Sequence, residues 1–141
     1  MKKSFILLIL ILSAFFSVAA QYLPEPPEKR VSSAPKAFRT FFLGLRKAIH
    51  RGNKVQVIAT TRFPFSYGFD VGNEGTMTKA QFSKRYVEVV GKKPKEFLIE
   101  SDPIFGRGED GSYHVTTDYA EVLRFVKTGK RFRWVSYIAS P

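Results

Sequence analysis

The chain has 141 residues, a formal net charge of +11 and no cysteine. That is long enough for one domain with a single core and too short for two ordinary ones. Without cysteine it forms neither disulfides nor a lipid-modified cysteine, and its two histidines, with no carboxylates in a calcium- or zinc-ligand order, imply no metal and no cofactor.

The chain opens MKKSFILLILILSAFFSVAA, with Lys2 and Lys3 ahead of an apolar run from Phe5 to Phe16, then small residues with Val18 and Ala20 at the spacing a signal peptidase prefers. Residues 1–20 are therefore expected to be an export signal, with the mature protein periplasmic or secreted. The run is shorter than the roughly 18 to 20 residues a membrane-spanning helix needs. Residues 21–34 are rich in proline, serine and charge and are expected to be an extended linker, with the folded domain at 35–141.

From Pro35, the stretch PKAFRTFFLGLRKAIHRGN places Phe38, Phe41, Phe42, Leu45, Ala48 and Ile49 at helical spacing, ending at Gly52. Asn53 can cap a second segment, KVQVIATTRF, whose β-branched residues also suit a strand, and Pro64 ends it either way. A loop is expected between Gly68 and Gly75. Thr78 and Gln81 then stand in capping-box spacing at the start of a short third helix carrying Phe82, Tyr86 and Val89 or Val90 on one face. Downstream the period becomes alternating in EFLIE, SYHVTTDY, EVLRFVK and KRFRWVSYIA, the last two flanking Thr128-Gly129 as a hairpin. Helices first and antiparallel strands after predict an α+β fold.

Less the two leader lysines, the mature chain carries +9, and from Lys29 to Phe69 it has no Asp or Glu at all. The first helix sets Lys36, Arg39, Arg46 and Lys47 on its outer face without an acidic neighbour to pair along the helix. Such a field favours anionic partners. For an exported protein these are anionic envelope components such as lipid head groups or wall polymers, and not intracellular nucleic acid. The KTGKRFRW stretch mixes bases with aromatics, but alternation puts Arg131 and Arg133 opposite Phe132 and Trp134, as expected of a solvated face over a core.

Three patterns, FxxFFxxLxxAIxxGN from Phe38 to Asn53, the FPF of Phe63 to Phe65, and GKxFRWVSYI from Gly129 to Ile138, resemble the nuclear transport factor 2-like superfamily, in particular its small exported SnoaL-like bacterial members. The resemblance implies a cone: N-terminal helices packed on a strongly curved antiparallel sheet, with an apolar pocket at the open end. It would place Phe63 in the core and Phe65, Tyr67 and Phe69 at the rim, where with Tyr86 they would line a pocket for a small apolar ligand. Packing that merely closes the cone is the alternative, and a homodimer stays open.

Catalytic candidates on the strands are Glu100, Tyr113, His114, Asp118, Tyr119 and Tyr137. Alternation sends Tyr113, Val115, Thr117 and Tyr119 to the more apolar, inward face and leaves His114 and Asp118 outward. Neither the tyrosine and acid arrangement of the steroid isomerases nor the paired aspartates and arginine of the epoxide hydrolases in this superfamily can be matched residue by residue. FGRGEDGS lacks the lysine of a phosphate loop and is expected to be a turn between strands. The sequence thus points to an exported, non-enzymatic binding domain. A small hydrolase or isomerase using a pocket acid or tyrosine is the competing reading.

Overall fold

The computed structural model describes residues 30–70, 72–91, 102–116 and 121–139. The expected leader, the EFLIE strand, Glu100, Asp118 and Tyr119 lie outside the described residues.

Helix α1 (Lys36–His50) buries Phe38, Phe42, Leu45, Ala48 and Ile49, the stripe expected from their spacing. It stops because Gly52 takes φ 65°, a conformation that is inexpensive only for glycine. Gly52 N–H then reaches the carbonyl of Ile49 at 3.0 Å, and Asn53 N–H that of Ala48 at 2.8 Å, which satisfies two carbonyls left over at the helix end. Asn53 next caps helix α2 (Lys54–Thr60), its side chain accepting from Gln56 N–H at 3.1 Å. The Thr60 and Thr61 hydroxyls both donate back to the carbonyl of Val57, and the chain leaves as a strand.

That strand corrects the sequence reading. β1 (Thr61–Asp70) runs through Pro64, after a cis Phe63–Pro64 bond, and turns back as β2 (Asn73–Met77) where a loop was expected. Pro64 lacks an N–H, and the β1–β6 ladder is interrupted between Thr61 and Ser66, so no bond is lost there. Short helices α3 (Lys79–Lys84) and α4 (Tyr86–Val89) follow, divided at Arg85, with Thr78 and Gln81 forming the expected capping box. The remaining strands are β3 (Ile104–Arg107), β4 (Tyr113–Thr116), β5 (Val122–Thr128) and β6 (Arg131–Ile138).

The fold is α+β, but its sheet is mixed. The order is β2-β1-β6-β5-β4-β3, open at both edges, and β1 runs parallel to β6 while every other neighbouring pair is antiparallel. A wholly antiparallel sheet following all the helices is therefore not what forms: the β1–β2 hairpin sits between α2 and α3 and joins β6 by a parallel ladder. Residues 30–34 also belong to the folded unit. Arg30 bridges to Ile104, Val31–Ser33 forms a 3-10 turn, Val31 N–H donates to Pro103 O at 2.9 Å, and Val31 and Ala34 are buried.

Aromatic rings fill the space between α1 and the sheet. The Phe38 ring lies 4.9 Å from Tyr113, 5.3 Å from Phe132, 5.4 Å from Phe105 and 5.5 Å from Phe125, so one helix residue touches four strands. A second group joins α3 to the sheet, with Phe65 at 4.9 Å from Trp134 and 5.0 Å from Phe82. A bulge completes the core: the β5–β6 register slips between Arg124 and Phe125, so Leu123 faces Tyr137 while Phe125 faces Trp134. The extra residue in β6 turns Tyr137 inward, where strict alternation after Trp134 would point it out.

Candidate functional site

On the outward side of α1, Arg39, Leu43, Arg46, Lys47 and His50 recur at intervals of three and four, forming one stripe. Leu43 is half exposed. A hollow of about 390 Å³ on one side of it is lined by Val31, Arg39, Phe42, Arg46 and Asp102 among others, and one of about 230 Å³ on the other by Arg46, Lys47 and His50. Lys36 is exposed near the start of the helix. Lys36 and Arg39 lie at the positive end of the helix dipole with no acid in the first turn, so helix stability does not account for them.

The acid at the edge of this face is already engaged. Asp102 accepts from the Ser32 N–H at 2.8 Å and from the Ser32 hydroxyl. Those bonds, with the charges of Arg30 and Arg46, hold its carboxyl below the usual range. Arg39 in turn donates to the Ser32 carbonyl, which fixes its guanidinium at the hollow. All four basic residues expected to form the anion-binding face, Lys36, Arg39, Arg46 and Lys47, thus stand on one helix with an exposed leucine between them.

The four residues expected to line an apolar pocket, Phe65, Tyr67, Phe69 and Tyr86, stand in different surroundings. Phe65 is a core residue, fully buried between Phe82 and Trp134, because it alternates inward along β1; Phe63, expected in the core, is only partly buried. Tyr67 and Phe69 are half-buried and roofed by the Arg85 guanidinium, at 4.8 and 5.9 Å from their ring centres. Tyr67 lies across Gly75 on the paired strand, 3.5 Å from where a side chain would begin, which fills the space that glycine leaves. Tyr86 packs on Phe82, with Lys54 Nζ 5.7 Å from its ring; its hydroxyl is buried without a hydrogen-bond partner among the described residues, and burial raises its pKa.

A serine, a histidine and an aspartate do come together at the β3–β4 turn, the segment expected to be a turn. Ser112 Oγ lies 2.7 Å from His114 Nε2 and 2.6 Å from Asp110 Oδ1. The order is wrong for nucleophilic catalysis. Ser112 and Arg124 hold the Asp110 carboxyl well below the usual range, so it is ionised and the single hydroxyl proton of Ser112 must point to it. His114 therefore donates to Ser112 and cannot act as its base, and Ser112 is 2% exposed. The cluster is a turn clamp, tightened by Arg124 on Asp110.

Tyr137, one of the strand candidates, has a partner that no motif in the sequence marks. Glu121 is buried, and the Tyr137 hydroxyl donates to its Oε1 at 3.2 Å. Burial, and then the charge of Glu121, push the Tyr137 pKa up. Alternation with Leu123 and Phe125 would have put Glu121 on the core face. Tyr113 is core, stacked on Phe38, and His114 is outward as expected.

Comparison with protein-family models, curated proteins and solved structures finds no match to this chain. Among the described residues no cluster of three or more His, Asp or Glu could hold a metal ion, and no helix is long and apolar enough to cross a membrane.

Proposed function

We propose that this chain is an exported, non-enzymatic binding module that engages an anionic envelope component, with α1 as the contact surface. The observation that carries this reading is the stripe Arg39, Leu43, Arg46, Lys47 and His50, cationic around a half-exposed leucine on a helix without a single acid. Anionic lipid head groups suit it best, since a lipid interface rewards both features: charge attracts, and the leucine enters the apolar boundary. The resemblance to the nuclear transport factor 2-like superfamily, with its cone-like bending of the sheet, belongs to the same proposal. The rings packed between α1 and the sheet favour the outer helix face over an apolar interior as the binding surface.

Sedimentation with anionic vesicles tests the reading. Each basic residue near such a surface contributes about 1 kcal/mol, so changing Arg39, Arg46 and Lys47 together to Gln should weaken binding about a hundredfold. The buried face of α1 is untouched by these changes, and the circular dichroism spectrum should be unaltered. Unchanged affinity in the triple variant would refute the proposal.

A further inference from the structure

A second cationic concavity shares no residue with the α1 face. A cleft of about 490 Å³ is lined by Ile58, Ala59, Thr61, Arg62, Phe63, Lys79, Thr128 and Arg133. Its cations come from three separate elements, Arg62 on β1, Lys79 at the start of α3 and Arg133 on β6. No acid lines it, and among the described residues none of the three cations is in an ion pair. Three cations lining one concavity with no carboxylate among them favour an anionic occupant.

The geometry sets the chemistry of that anion. Arg133 spends one N–H on the Ala59 carbonyl, which fixes the guanidinium on the cleft wall and leaves its other donors available. Thr61, whose hydroxyl donates to the Val57 carbonyl, keeps lone pairs only, and Thr128 adds a hydroxyl at the rim. Three cations match a doubly charged tetrahedral oxyanion better than a single carboxylate. Ile58, Ala59 and the partly buried Phe63 ring give the other part of the wall an apolar lining. The volume lies within the range of small-molecule sites.

We infer that this cleft binds a phosphate monoester carrying a short apolar group, its phosphate held by Arg62, Lys79 and Arg133 and its apolar part on Ile58 and Phe63. The same chemistry is presented by a soluble phosphate ester and by a phosphomonoester lipid head group.

Titration calorimetry of the full mature chain with hexyl phosphate, inorganic phosphate and hexanol tests this. Saturable binding of hexyl phosphate is expected, tighter than inorganic phosphate, with hexanol inert. Arg62 and Lys79 are both exposed, so the double variant Arg62→Gln, Lys79→Gln should keep the fold and lose about tenfold or more in affinity. The α1 variant Arg39→Gln, Arg46→Gln, Lys47→Gln should bind hexyl phosphate as the wild type does. In that α1 variant, displacement of hexyl phosphate by phosphatidic acid vesicles would assign the lipid source; indifference to the vesicles would assign the soluble one, and both uphold the site. Absence of saturable binding, an unaffected double variant, or an equal loss in the α1 variant would overturn it.

Discussion

Replacing Phe38 by alanine tests whether the helix–sheet interface is filled, as the choice of an outer binding surface requires. The side chain has no exposed area, and its ring faces Phe105, Tyr113, Phe125 and Phe132, each contributed by a different strand. Rings fixed by four strands cannot all move into one vacated site, so the cavity persists and the loss should lie toward the upper end of the about 3 to 5 kcal/mol usual for such a truncation. Against the roughly 5 to 15 kcal/mol by which most domains are stable, that is a large share. Urea unfolding should show the midpoint falling with little change in slope, because a single side chain scarcely alters the surface exposed. Leu43→Ala, at a half-exposed position, serves as control and should cost less than about 1 kcal/mol. A Phe38→Ala loss below about 1.5 kcal/mol would refute the packing described, and with it the argument against an apolar interior.

Two further expectations concern charge and chemistry. Asp102 and Asp110 have carboxyls held below their usual range, so their contribution is present above about pH 4, the ordinary value for an unfolded aspartate, and is lost as pH falls through the lower folded values. Tyr137 has the opposite sign: its raised pKa leaves stability intact below about pH 10 and diminishes it above, so unfolding curves across both ranges should fall at each end. Stability that stayed flat below pH 4 would contradict the Asp102 and Asp110 contacts. For Ser112, a fluorophosphonate probe should give no labelling of the folded protein, since the hydroxyl is buried and its proton is committed to Asp110. Labelling at Ser112 would reinstate a hydrolase.

Much of the fold was legible because spacing reports burial. The α1 stripe, the Thr78–Gln81 capping box, the Gly52 stop and the β5–β6 hairpin all follow from residue pattern and local hydrogen bonding. What was misread depends on distant partners. Pro64 looked like a terminator because its missing N–H matters only against a neighbouring strand, and that strand, β6, interrupts its ladder there. Phe63, Phe65, Tyr67 and Phe69 alternate with period two, the signal that marked β1 as a strand, but the proline masked it. The inward turn of Tyr137 comes from a bulge that no local pattern announces. At the site, the basic stripe of α1 could be read from one helix alone, whereas the Arg62, Lys79 and Arg133 cleft joins residues from three elements and needed the tertiary structure.

The central claim, that α1 binds anionic surfaces chiefly through charge, is tested most directly by the salt dependence of wild-type binding to anionic vesicles. Screening shortens from about 10 Å at 0.1 M to about 3 Å at 1 M ionic strength, so the cations around Leu43 should lose most of their attraction over that range. Affinity should fall at least about tenfold between these conditions, given about 1 kcal/mol for each basic residue engaged. Binding that is indifferent to salt, or equally strong to neutral vesicles, would contradict it.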